Sequence, residues 1–207
     1  MNDFVSPTRR GFIAATGAAA LALALPDHAR GATDRAAQIS RIETYLNSIT
    51  TMKAGFMQIA STGEVAQGTF YMRRPGKLRI DYVPPTPVLI VADGHRLIYY
   101  DKDLKTANMA PIEDTLAGLL VRPNIRFAGD VAVSDFRHDR GTVQVTLSRA
   151  KEPEAGSLTL VFNDNPLRLR LWIVTDAHGS STRVALNEPE FGVKLADELF
   201  EQPPEAE

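Results

Sequence analysis

From Thr51 almost to its C-terminus, this chain repeats apolar residues at every second position, in short segments separated by Gly, Pro, Asn and Asp. A strand alternates its side chains between two faces, so a period of two commits the body of the chain to half-buried β-strands. The segments drawn from the pattern are 52–60, 65–73, 77–83, 88–92, 96–101, 105–109, 131–137, 142–149, 157–163, 167–176 and 181–188. Their short connections predict antiparallel neighbours. Asp93-Gly94, between Ile90-Val91-Ala92 and Leu97-Ile98-Tyr99, is the dipeptide a two-residue type I′ hairpin favours. Asn163-Asp164-Asn165-Pro166 and His178-Gly179 punctuate later hairpins.

Two stretches have a different period. Ala36, Ile39, Ile42, Leu46 and Ile49 recur at three- and four-residue spacing with Arg35, Gln38, Arg41 and Glu43 between them, which predicts an amphipathic helix starting at Asp34. The sheet is interrupted once, between Pro111 and Arg122-Pro123. Glu113-Asp114 supplies an acidic start and the proline a stop, predicting a short helix with Leu116, Leu119 and Leu120 on one apolar face.

Ahead of the helix, Ser6-Pro7-Thr8-Arg9-Arg10-Gly11-Phe12-Ile13 opens an apolar run from Ile13 to Leu25, and Pro26 precedes the small-residue site Ala29-Arg30-Gly31. This reads as a twin-arginine export signal over 1–31, cleaved near Gly31, followed by a single domain over 32–207 and a periplasmic location. Ala22-Leu23-Ala24 offers an alternative cleavage site. The leader carries one net positive charge, so its removal takes the formal charge from −2 to −3. No polybasic footprint for nucleic acid results. There is no cysteine, which excludes a lipid-modified N-terminal cysteine and leaves stability to core packing.

The familiar catalytic patterns do not occur. His95, His138 and His178 fall at predicted turns, far apart in sequence, and predict neither a metal site nor a cofactor. Gly63-Glu64-Val65-Ala66-Gln67-Gly68-Thr69 has the glycine spacing of a phosphate loop but lacks its lysine, and a hairpin explains both glycines. Ser180 and Ser181 beside His178 read as turn residues, so no enzyme is expected.

What the pattern does supply is apolar faces on many strands: Phe56; Phe70 and Met72; Leu78, Ile80 and Tyr82; Val145 and Leu147; Leu158, Leu160 and Phe162; Leu169, Leu171 and Ile173. Alternation alone points to an ordinary core packed against the two helices and does not show a cavity. The run Gly68-Thr69-Phe70-Tyr71-Met72-Arg73-Arg74-Pro75-Gly76-Lys77-Leu78-Arg79-Ile80-Asp81-Tyr82 resembles the LolA family pattern of a strand, Arg-Pro and a second strand. Leu89 to Gly94, Leu97 to Asp101, Phe56-Met57-Gln58 and the closing Leu199-Phe200-Glu201-Gln202-Pro203-Pro204 are similar to further segments of that family, so the resemblance spans 34–204.

That resemblance implies a mainly β fold: an incompletely closed antiparallel β-barrel of about eleven strands, with the N-terminal helix and a short lid helix covering an apolar cavity. It implies a periplasmic chaperone that binds the acyl chains of lipoproteins and carries them from inner to outer membrane. The expected partners are acylated lipoproteins, an inner-membrane ATP-driven extractor and an outer-membrane receptor of similar fold, and a monomer is expected. A carrier of another lipid, such as a glycolipid, is the alternative within the same barrel. The cavity residues implied are Phe56, Phe70, Met72, Leu78, Ile80, Tyr82, Leu116, Leu119, Leu120, Leu160, Phe162 and Leu171. Arg74 matches the family arginine beside the proline, and the resemblance assigns it control of the lid.

Overall fold

A computed structural model describes residues 27–202, with side chains from Asp34 onward. Helix α1 (Asp27–Ser48) leads into β1 (Thr51–Ala60), β2 (Val65–Arg73), β3 (Lys77–Tyr82), β4 (Val88–Asp93), β5 (Arg96–Asp101) and β6 (Thr106–Pro111). A 3-10 turn (Ile112–Asp114) and helix α2 (Gly118–Val121) then interrupt the strands. The second half is β7 (Val131–Asp139), β8 (Thr142–Arg149), β9 (Gly156–Asn163), β10 (Arg168–Asp176) and β11 (Ser181–Phe191). The mainly β, incompletely closed fold expected from the sequence is the fold observed.

All eleven strands form one antiparallel sheet in the order β6-β5-β4-β3-β2-β1-β11-β10-β9-β8-β7. Every neighbour but one is a hairpin partner, and the pairing of β1 with β11 joins the two runs of hairpins. The unpaired edges, β6 and β7, are consecutive in sequence, so the segment between them crosses the opening.

One face of the curled sheet holds the main core. Ile42 and Leu46 of α1, and Ile49 just after it, are buried in one cluster with Phe70, Val143, Val145, Leu158, Leu160 and Phe162. Tyr45 meets Phe162 edge-on at 5.9 Å, and its hydroxyl accepts the backbone N–H of Leu169 at 3.1 Å. Charge fixes the helix at its other flank: Arg41 donates to Oδ1 of Asp164 at 2.6 Å and to its carbonyl at 2.5 Å. The Arg41 bond, then the His138 bond, holds the Asp164 carboxyl below its usual range. A smaller cluster, Leu89, Val91, Ile98 and Tyr100, lies on the opposite face of β4 and β5.

Several expectations are corrected. Helix α1 begins at Asp27, seven residues ahead of the amphipathic period, and Ala36 is exposed rather than in the core. The leader up to Pro26, with its arginine pair, and Pro203-Pro204 lie outside the described residues. The β4–β5 loop is Gly94-His95, and only Gly94 has positive φ, at 112°, so it is not a type I′ turn. Asp93 closes it from the strand end, its Oδ1 accepting the N–H groups of His95 and Arg96, both at 2.8 Å. His138 lies on β7, not in a turn, with Nε2 2.9 Å from Oδ2 of Asp164.

Gly68 sits inside β2, within the segment 65–73 drawn from the sequence. A Cβ there would lie 2.0 Å from the Asp81 carbonyl oxygen and 2.7 Å from the Phe56 ring, so the bare backbone lets that ring lie across the strand. Gly68→Val therefore overpacks this contact and is expected to lower stability by about 1–3 kcal/mol in denaturant unfolding. Unchanged stability would show that the Phe56 ring has another place to go.

Candidate functional site

The sheet does not fill its own interior. A cavity of about 450 Å³ remains between β1–β5, β9–β11 and the lid segment. Its walls are Phe56, Phe70, Leu78, Ile80, Tyr82, Ile90, Leu97, Leu158, Trp172, Val174 and Val184, with Thr115, Leu116, Ala117 and Leu120 as the cover. Polar side chains enter only as Gln58, Tyr82, Thr115 and Thr182. Phe56 meets Tyr82 edge-on at 5.2 Å, and Phe70 packs against Trp172 at 5.3 Å, so aromatic pairs stiffen two walls. The Tyr82 hydroxyl donates to Gln58 Oε1 at 2.7 Å. Burial, and to a lesser degree Tyr99, pushes the Tyr82 phenol up to about 12, so it stays a neutral donor at neutral pH.

Of the residues expected around a cavity, Phe56, Phe70, Leu78, Ile80, Tyr82, Leu116 and Leu120 line this one. Met72 lines a separate crevice beneath Arg74, bordered also by Leu46, Met52, Phe70, Leu120 and Trp172. Leu119, Leu160 and Phe162 are packed into the core instead. Leu171 faces the other way. A bulge between Leu169 and Leu171 adds one residue to β10, so Leu169 pairs with Phe162, Leu171 with Val161, and Trp172 with Leu160. The extra residue reverses the strand's phase, taking Leu171 off the inner face and putting Trp172 and Val174 on it. No alternation rule applied to one sequence reveals such a bulge. Ile90 and Leu97 were within reach of register reasoning, because Ile90 pairs with Ile80 and Leu97 with Ala92, which pairs with Leu78.

The lid is shorter than the sequence suggests. The 3-10 turn ends at Asp114, Thr115 Oγ1 accepts the Gly118 N–H at 3.1 Å, and α2 is a single turn. Gly118 makes the tight fold possible, since a Cβ there would meet the Ile112 carbonyl oxygen at 2.1 Å. Leu116 and Leu120 thus reach the cavity from either side of the chain reversal, while Leu119 turns into the core.

Arg74 fastens this lid to the rest of the molecule. Its Nε donates to the Leu120 carbonyl at 3.1 Å, Nη2 to the Leu46 carbonyl at 2.6 Å and Nη1 to Asn47 Oδ1 at 3.5 Å. All three acceptors are neutral. Burial pulls the guanidinium down to about 10, which leaves it a cation at neutral pH held by carbonyl dipoles. Four further bonds secure the segment: Gly76 N–H to the Val121 carbonyl at 2.8 Å, Arg149 Nη2 to the Glu113 carbonyl at 2.7 Å, and the Asn47 amide with both backbone groups of Ile125, at 2.8 and 2.9 Å.

The architecture is a half-open antiparallel barrel with an apolar interior and a short lid segment across the gap between its edges. The family described as "Outer membrane lipoprotein carrier protein LolA" matches residues 47–203, and the chain belongs to it. An outer-membrane lipoprotein carrier protein of Legionella pneumophila (strain Corby) is 31% identical over 172 residues, covering 79% of this chain and 84% of that one. The protein of the same description from Methylococcus capsulatus is 28% identical over 178 residues, covering 81% and 84%. Among solved structures, a LolA superfamily protein of Nitrosomonas europaea is similar at 12% identity with a TM-score of 0.44, covering 79% and 97%.

Replacing Arg74 by Leu removes the donor shared by the Leu46 and Leu120 carbonyls while leaving the strand core in place. Amide exchange at Leu116–Val121 is expected to quicken at least about fivefold, the equivalent of about 1 kcal/mol of lost hydrogen bonding, with β8–β9 protection unchanged. Equal exchange in both proteins would show that the lid is held without Arg74.

Proposed function

We propose that this chain is a non-enzymatic periplasmic chaperone that takes the acyl chains of lipoproteins into the cavity under its lid and carries them from the inner to the outer membrane. The observation that supports this most is the 450 Å³ cavity with aliphatic and aromatic walls, closed by the segment that bridges the sheet's two free edges. Membership of the LolA family and relatives named as lipoprotein carriers support the cargo. The Arg9-Arg10 pair and the apolar run Ile13 to Leu25, read as a twin-arginine leader over 1–31 cleaved near Gly31, favour the same compartment.

Magnitudes favour exchange of lid for lipid. Each methylene withdrawn from water is worth about 0.8 kcal/mol, so one long acyl chain gains on the order of ten kcal/mol in the cavity. Leu116 and Leu120 together gain roughly 3–6 kcal/mol at full burial, and the lid's hydrogen bonds contribute roughly 1 kcal/mol each. One acyl chain and the closed lid are therefore of comparable worth, so loading and closure lie close in free energy and the lid recovers its own burial when cargo leaves. Outward movement of α2 would also join the crevice bordered by Met72 to the main cavity, because Phe70, Leu120 and Trp172 border both.

In this reading Phe56, Phe70, Leu78, Ile80 and Tyr82 shelter the chain, with Trp172 and Val174 added and Leu171 withdrawn. Arg74 sets the balance between the open and closed lid. An inner-membrane ATP-driven extractor would load the protein and an outer-membrane receptor of similar fold would unload it.

Incubating the mature protein with spheroplasts that accumulate a lipoprotein is expected to yield a soluble one-to-one complex with intact acyl chains. Recovery of a different amphiphile and no lipoprotein would overturn the cargo while leaving the cavity's role standing.

A further inference from the structure

A second cavity of about 450 Å³ adjoins the first, and its chemistry is different. Gln58 and Tyr82 line both, so the hydrogen bond between them, 2.7 Å long, stands at the boundary. Beyond that bond the walls turn polar: Glu64, Thr86, Tyr99 and Asp101 line the second cavity together with prolines and small residues. No cation is among the residues that line it. Asp101 is fixed in place, its Oδ1 accepting the backbone N–H groups of Asp103 and Leu104, both at 3.0 Å. Tyr99 is 41% exposed and Glu64 is exposed, so this compartment opens to solvent.

We propose that the two cavities are one amphiphile site, in which the second takes the polar head of a molecule whose tail occupies the first, and accepts heads that carry hydrogen-bond donors and no negative charge. This rests on the carrier reading above and sharpens its substrate class. Gln58 and the tyrosine hydroxyls bond to hydroxyl and amide groups at the tail–head junction. Glu64 and Asp101, with no cation beside them in the lining, repel phosphate. A diacylglyceryl group joined to a peptide meets both conditions. An anionic phospholipid, the competing amphiphile at any membrane from which cargo is drawn, fails the second. Discrimination comes in this way from a repulsive element as much as from an attractive one.

Trp172, the chain's only tryptophan, lines the first cavity and reports on its occupant. The test is a titration of its fluorescence, at low ionic strength and below micelle formation, with three probes of one tail length: dodecyl maltoside, dodecylammonium and dodecyl phosphate. Two carboxylates at several ångströms in a solvated pocket predict that dodecyl phosphate binds at least about fivefold more weakly than the other two, a gap that narrows as salt is added. The double substitution Glu64→Gln with Asp101→Asn removes both charges, and is expected to close that gap by tightening the binding of dodecyl phosphate. Equal binding of all three probes to the native protein would overturn the head compartment and leave the tail cavity intact. So would a gap that survives the double substitution. Failure of every probe to move the Trp172 signal would overturn the carrier reading and this inference together.

Discussion

An antiparallel sheet whose edge strands never meet must do something with the gap, and here the chain itself supplies the answer. β6 and β7 are consecutive in sequence and lie at opposite edges, so their connection has to span the opening. A spanning segment that buries leucines becomes a cover, and one that is held chiefly through its backbone carbonyls can let go without unravelling the strands on either side. Cavity, lid and edge protection thus follow from a single topological fact.

Adjacent arginines at the end of β2 serve opposite surfaces. Arg74 reaches inward to the α1 C-terminus and the lid. Arg73 points outward, donating to the Leu195 carbonyl at 3.0 Å, pairing with Asp197 and lying 5.0 Å over the Phe200 ring. Arg79 adds a bond to the Leu199 carbonyl at 3.2 Å. The C-terminal segment is thereby strapped across the outside of β2 and β3, and Phe200 is buried there. The Arg-Arg-Pro stretch holds together three parts of the chain that are distant in sequence: helix, lid and tail.

Much of the fold was legible because its signals are local. Period two placed all eleven strands to within about three residues, and hairpin connections explain nearly every neighbour in the sheet. The cavity was less legible, for two physical reasons. A bulge in β10 reverses a strand's phase without altering its composition, which misplaced Leu171 and hid Trp172. Burial does not distinguish a side chain that faces empty space from one that faces another side chain, and so Leu160 and Phe162 looked the same as Leu158. Tertiary pairing with Asp164 also drew His138 out of the class of solvated turn residues. Arg74 was found only through the resemblance, since an arginine at a strand end carries no sign in the sequence that it will be buried against carbonyls.

The central claim is that an acyl chain lies inside the sheet under the lid, and photo-crosslinking tests it most directly. A lipoprotein bearing a diazirine on one acyl chain would be loaded, irradiated and the adducts mapped by mass spectrometry. Adducts on Phe56, Phe70, Leu158 and Trp172, with none on Val91 or Ile98 of the opposite face, are the predicted result. Adducts confined to the outer face, or to the C-terminal segment, would contradict it.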